Sequence, residues 1–264
     1  MKRPCVLVFA GLDPSGGAGV QADIEAIAAT GAHALTIVTT LTVQDNDHVT
    51  AVHAVDATIL REQVRALCEK FQIAAIKIGI TGSQDNVVVI GETIKRLRQE
   101  RPDLPVVLDP VLASGHGDAL AREDAVAMMR PLRSLATLIT PNLPEAMRLC
   151  DGETSLPAQA SKLLHTTPHV LIKGGHGEGN EVINTWFSVS HEQTWRWPRL
   201  SGSFHGSGCT LASAIAACLA TGLDMQQALS TSQRWVQVSL SNAYSIAGGQ
   251  RIPARTVMQV PEVS

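Results

Sequence analysis

The stretch Phe204-His205-Gly206-Ser207-Gly208-Cys209-Thr210 runs directly into the small and apolar residues Leu211–Ala220. Gly206 and Gly208 let the backbone turn tightly and approach a ligand closely. The apolar run reads as a helix, whose first amides have no partner inside it and sit at the positive end of its dipole. Together these predict an anion site, most often one for phosphate. Cys209 lies at its mouth, where a thiol is expected to have a lowered pKa. The competing reading is an ordinary turn before a core helix.

Other polar residues follow short apolar runs, where ligands sit in open α/β sheets. Gly11-Leu12-Asp13-Pro14-Ser15-Gly16-Gly17-Ala18-Gly19 follows the first run. It fits the dinucleotide fingerprint only loosely, and Val38-Thr39-Thr40 lacks the acid which that fingerprint requires. It is not a P-loop either, since no Gly-Lys-Ser/Thr follows. Asp109, in Asp109-Pro110-Val111-Leu112-Ala113-Ser114-Gly115, either caps a loop or serves catalysis or a ligand. Asn142 and Glu145 stand three apart at a helix start. Glu145 is either a favourable first-turn acid or, with Asp109, a carboxylate for hydrated Mg²⁺. Lys173 ends an apolar run and either snorkels to solvent or meets a phosphate; phosphate is the favoured reading. Gln44 is either solvent-facing or suited to the edge of a heterocycle, since its amide both donates and accepts. His176 and His205 read as loop hydrogen bonders rather than metal ligands. The set lacks a nucleophile-elbow serine and suits phosphoryl transfer, which needs positioning and charge neutralisation above all.

The elements that must position these residues alternate along the chain. Strand-like runs are Cys5–Ala10, Ala34–Thr39, Ala75–Ile80, Val106–Leu108, Thr137–Thr140 and Val170–Lys173. Helical spacing appears in Gln21–Thr30, Thr58–Phe71, Asn86–Gln99, Asp124–Met129 and Glu145–Leu149, with Ser83 and Asp85 as candidate N-caps. This rhythm predicts βαβ units, hence a central, mostly parallel sheet with helices on both faces, in three α/β/α layers. Leu41–Val55 alternates and reads as an extended flap. Glu181–Leu200 also alternates, with Trp186, Trp195 and Trp197, and reads as antiparallel strands at a sheet edge.

The chain has 264 residues, taken as one domain (1–264) with a loose tail after about residue 253. A net charge of −3 with no basic stripe, and only 3% aromatic residues, argue against a nucleic-acid partner. No apolar run approaches membrane-spanning length, so no membrane partner is expected. Five cysteines without C-x-x-C spacing suggest neither a disulfide framework nor a zinc site, which suits the cytoplasm.

Several of these motifs resemble, in order, those of the hydroxymethylpyrimidine/phosphomethylpyrimidine kinases of thiamine biosynthesis. They are Gly11–Asp23, Leu41-Thr42-Val43-Gln44-Asp45-Asn46, Lys77-Ile78-Gly79, Leu108-Asp109-Pro110-Val111, Thr140–Ala146, Lys173-Gly174-Gly175-His176 and His205–Leu211. The resemblance implies a ribokinase-like fold, a homodimer, and ATP with Mg²⁺. It implies 4-amino-5-hydroxymethyl-2-methylpyrimidine, then its monophosphate, as acceptor. Gly11, Asp23, Gln44, Ile80 and Asp109 would line the acceptor site. Asn142, Glu145, Lys173 and Ser207 would serve ATP and Mg²⁺, with Glu145 and Asp109 as metal ligands. Lys173, Gly206, Gly208 and Cys209 would carry catalysis, Cys209 taking the seat where related kinases place an aspartate base. Phe204 and Ile80, in place of the usual Thr and Met, and the missing Asp after His176, depart from the family pattern. A pyridoxine or pyridoxal kinase of the same fold, and a non-catalytic pyrimidine sensor, are the competing readings.

Overall fold

The computed structural model describes residues 2–112 and 124–256. Ala113, Ser114 and Gly115 of the Asp109 motif lie outside the described residues, as does the chain after residue 256.

In chain order the elements are β1 (Cys5–Leu12), α1 (Gly19–Ala29), β2 (His33–Gln44), β3 (Val49–Ala54), α2 (Ala57–Lys70), β4 (Ile73–Ile78), α3 (Gln84–Glu100), β5 (Val106–Leu108), α4 (Ala125–Arg133), β6 (Leu138–Ile139), α5 (Leu143–Leu149), α6 (Leu156–Leu164), β7 (His169–Ile172), β8 (Glu181–Ser188), β9 (Glu192–Pro198), α7 (Ser207–Ala220) and α8 (Met225–Ser241). The described strands form one sheet, ordered β3-β2-β1-β4-β5-β6-β7-β8-β9. From β2 to β7 all neighbours pair in parallel; β3 at one edge and β8 and β9 at the other are antiparallel.

β1 shows why the sheet is a middle layer. Leu7 and Phe9 enter one core with Ile37, Ile76, Ile78 and Ile90, while Val6, Val8 and Ala10 enter the other with Ile27, Val107 and Ile215. A strand buried on both faces must read as a continuous apolar run. Burying each large aliphatic side chain contributes roughly 1.5–3 kcal/mol. Helices α2–α6 close the first face, while α1, α7 and α8 close the second. Local signals set the helix starts: the side chains of Asp56 and Ser83 accept hydrogen bonds from the first turns of α2 and α3. No helix among the described residues is long and apolar enough to cross a membrane.

Two boundaries differ from the sequence expectation. The second strand does not stop at Thr39: β2 continues to Gln44 because, where β1 ends opposite Leu41, β3 supplies a new antiparallel partner. The flap is therefore the far half of a sheet strand. The chain does not loosen at residue 253 either, since Pro253 and Arg255 are buried.

β1 lies between β2 and β4, so the chain winds to one side of it and then crosses to the other. At such a switch point the connections leave in opposite directions and open a crevice at the strands' carboxyl ends. α7, buried from Thr210 to Cys218, starts beside this crevice.

Candidate active site

A cavity of about 560 Å³ fills that crevice. Gly11, just before β1 ends at Leu12, lines one end of it, with Gln44 from the tip of β2 and Ile80 from beyond β4. The other end is lined by Val182, Trp197, Pro198, Val236 and Leu240. Asp109, Asn142, Glu145, Lys173 and the start of α7 occupy the polar middle.

The carboxylate and ammonium groups there hold one another. Lys173 Nζ donates to Asp109 Oδ1 at 2.8 Å, and Thr140 Oγ1 donates to the same oxygen at 3.1 Å. Burial works against the Lys173 ammonium, but Asp109 and Glu145 outweigh it and hold the amine above its usual range. Glu145 and Asn142 form a capping box on α5. The Asn142 amide donates to Glu145 Oε2, and the Glu145 amide donates to Asn142 Oδ1, both at 2.8 Å. Glu145 is thus a first-turn acid and a cavity-lining carboxyl at once. Burial, with the neighbouring Asp109, pushes it up to about 7 against the pull of Lys173.

At α7 the N-cap is Gly206, in the left-handed region at φ +77°, and no side chain caps the helix. Its first turn, Ser207-Gly208-Cys209, lines the cavity with amides that the helix cannot satisfy. A methyl group on Gly208 would stand 3.3 Å from Lys173 Nζ and 3.6 Å from Asp109 Oδ2, so glycine brings the ion pair up to the helix end. A methyl on Gly206 would fall 2.1 Å from the Gly17 carbonyl oxygen. The two glycine turns therefore meet backbone to backbone.

Cys209 departs from expectation in its chemistry. Burial pushes its thiol above the usual range, and Lys77 only opposes that rise. The helix end predicts a lowered pKa, but desolvation of the thiolate dominates. Asp23 departs in its position. It does not line the cavity; it is wholly buried in α1, where its two oxygens accept from Lys77 Nζ at 2.8 and 2.9 Å and one accepts from Ser213 Oγ at 2.6 Å. Lys77, not Asp23, reaches the cavity wall. Its amine is held above its usual range because Asp23, with Cys209 and Asp109 nearby, overcomes the cost of burial.

The sequence motif Lys77-Ile78-Gly79 assigned Lys77 no role of its own, although a lysine inside the apolar strand Ile73-Ala74-Ala75-Ile76-Lys77-Ile78 demands a buried anion. His205 is a loop hydrogen bonder, as expected: its Nε2 lies 2.8 Å from Asp13 Oδ2. Burial disfavours the Asp13 carboxylate, but His205, the Ser15 side chain and the Ala18 amide hold it at about 2. His176 lines the cavity, and Phe204 stacks under the Arg251 guanidinium at 4.8 Å.

A cationic residue, two carboxylates and an uncapped helix start, all lining one cavity, define a small-molecule kinase. The fold agrees. The ADP complex of Bacillus subtilis pyridoxal kinase superposes with a TM-score of 0.88 at 23% identity, over 98% of this chain and 100% of that one. This is the ribokinase-like α/β fold. The sequence profile of the phosphomethylpyrimidine kinase family matches residues 13–254. The hydroxymethylpyrimidine/phosphomethylpyrimidine kinase of Mycobacterium bovis is 38% identical over 94% of this chain and 92% of its own length. The thiamine biosynthesis multifunctional protein ThiED of Corynebacterium glutamicum is 35% identical over 94% of this chain, which spans 33% of that protein. The chain belongs to the phosphomethylpyrimidine kinase family, and a kinase of this family takes ATP as co-substrate.

Proposed function

We propose that the protein transfers the γ-phosphoryl group of ATP to the hydroxyl of 4-amino-5-hydroxymethyl-2-methylpyrimidine, and a second one to the resulting monophosphate, in thiamine biosynthesis. Each transfer forms an O–P bond on the acceptor and releases ADP. The observation that carries this reading is the convergence of Lys173, Asp109 and the first turn of α7 on one cavity. The end at Gly11, Gln44 and Ile80 suits a small heterocycle. The end at Trp197 and Leu240 suits a nucleobase. The Gln44 amide pairs with the pyrimidine's polar edge. Lys173 and the amides of Ser207, Gly208 and Cys209 take up charge on the phosphoryl group being transferred.

The cavity fits Mg²⁺ in the form such sites use. Among the described residues no three carboxylate, histidine or cysteine side chains form a metal cage. Mg²⁺ needs only one or two carboxylates when phosphates and waters complete its shell. Asp109 and Glu145, which both line the cavity beside Lys173, would hold it, and it would neutralise charge on the nucleotide phosphates. Cys209 is the acceptor-side proton acceptor for the first transfer. Its raised pKa makes it a thiol at rest, so it serves only the fraction of enzyme that has lost that proton. We further propose one kinase domain over residues 1–264, acting as a homodimer in the cytoplasm.

A coupled ATP assay with the pyrimidine alcohol, its monophosphate and pyridoxine side by side tests the reading. Turnover of both pyrimidines above pyridoxine is expected. A preference for pyridoxine would reassign the acceptor, and no turnover with any of them would point to a sensor.

A further inference from the structure

Arg255 lies one residue past the family-matched segment, and its side chain is fully buried although it touches no part of the cavity. Its fork reaches three acceptors on separate elements. Nε donates to Thr210 Oγ1 at 2.8 Å, one terminal nitrogen donates to the Gly17 carbonyl, and the other meets Glu25 Oε2 at 3.1 Å. The Glu25 carboxylate is 39% exposed, so that contact contributes little. The other two are buried, and both lead to the phosphate site. Thr210 Oγ1 passes the contact on by donating to the Gly206 carbonyl at 2.7 Å, the carbonyl that the Thr210 amide also meets at 2.9 Å. Gly17 is the residue whose carbonyl presses against Gly206. One guanidinium therefore fixes both glycine turns at their point of contact.

The segment before Arg255 is itself fastened down. Arg251 exchanges backbone bonds with Ser203 and His205 at 3.0 and 2.9 Å, and the Ala254 amide donates to Ser239 at 3.0 Å. Asn46, next to the Gln44 tip of the flap, donates to the carbonyls of Gly248 and Gln250 at 2.8 and 3.1 Å. The carboxyl-terminal segment is thus a strap that ends in the guanidinium.

We infer that Arg255 is a positioning residue for phosphoryl transfer, setting the separation of the Gly17 turn and the first turn of α7 so that the α7 amides meet the γ-phosphoryl group. The inference rests on the kinase reading above. Three neutral or charged acceptors at fixed angles need the planar fork of arginine; the point charge of lysine cannot serve them together. A small misplacement of the amides weakens them where charge develops, so the loss falls on turnover rather than on acceptor binding.

The test compares wild type with Arg255→Ala, Arg255→Lys, Thr210→Val and the Arg255→Ala/Thr210→Val pair, each checked for folding by thermal melting. Both Arg255 variants and Thr210→Val are expected to lose about 10- to 100-fold in kcat with KM for the pyrimidine within about twofold. The double variant should lose no more than the worse single one, because the two groups act in series. Free guanidinium at millimolar concentration should restore part of the activity of Arg255→Ala and none of that of Thr210→Val. A role limited to holding the tail would lower the melting temperature without moving kcat per folded molecule. A folded Arg255→Ala protein with wild-type kcat overturns the inference, and should that variant not fold, wild-type kcat in Thr210→Val does so. Calorimetry separates this from failure of the kinase reading, since Arg255→Ala should weaken a γ-imido ATP analogue about tenfold while leaving ADP unchanged. Equal changes for both nucleotides overturn the inference whether or not any acceptor is turned over.

Discussion

Cys209 and Glu145 carry the sharpest residue-level consequences, because burial moves both against their simplest reading. The acceptor of the first transfer is an alcohol, which must lose a proton; the acceptor of the second is a phosphate monoester, largely dianionic at neutral pH. Cys209→Ala should therefore cost the first transfer about 100-fold or more and the second only a few-fold, measured with each acceptor separately. Equal losses would leave Cys209 as part of the anion site alone. Glu145 bears on stability. Its folded-state pKa of about 7 lies above its ordinary value of 4.5. Between these values the folded protein keeps a proton that the unfolded chain has lost, so stability falls as pH rises through that window. Glu145→Gln removes the effect. Its melting temperature should match wild type near pH 4.5 and exceed it by several degrees above pH 7, where about 1 kcal/mol corresponds to 2–4 °C. A constant difference across this range would show that Glu145 does not titrate there. The residue types were legible in the sequence, since Lys173, Asp109, Glu145 and Gln44 all face the cavity as expected. The sign of the Cys209 shift was not, because it depends on burial and on charges brought close by distant segments, Lys77, Asp23 and Asp109 among them.

At the scale of elements, two glycines in one turn have different tasks. Gly206 carries the left-handed conformation and the contact with Gly17, whereas Gly208 only leaves room for Lys173. Gly206→Ala should lower the melting temperature and activity together. Gly208→Ala should fold like wild type, since the lysine tip can yield by a few tenths of an ångström, yet lose about 10-fold or more in kcat. Melting curves and kinetics on the same preparations check this contrast. The strand β4 and helix α1 are joined by the Lys77–Asp23 pair, with both side chains wholly buried. Lys77→Met would strand the Asp23 carboxylate at a cost of about 3–5 kcal/mol, and adding Asp23→Leu should recover most of it. Chemical denaturation of both variants measures the difference; no recovery would mean that the pair is not what joins these elements. The apolar runs of β1, β4, β5 and β7 were readable because strands buried on both faces need them. The length of β2 was not readable, because its far half exists as strand only through pairing with β3.

For the whole molecule, the sheet order places the switch point between β1 and β4 and collects the strand-end motifs at one edge. The hairpin of β2 and β3 extends beyond that edge. It leaves Leu41 and Val43, on the same strand face, 47% and 52% exposed. The proposed homodimer would cover them, so sedimentation should report a dimer, and Leu41→Lys with Val43→Lys should shift it to monomer. A monomer for the unaltered protein would remove the homodimer from the proposed function. By itself the sequence determined the alternating elements, the three layers and the chemical character of each strand-end motif, because runs, caps and glycine turns act over a few residues. Tertiary structure alone decided which of those groups meet. Lys77 finds Asp23 across 54 positions, His205 finds Asp13 across 192, and Arg255 finds Gly17 across 238. It also decided which groups are buried. Burial sets the proton affinity of Cys209 and Glu145, and no local pattern encodes what distant segments will exclude from water.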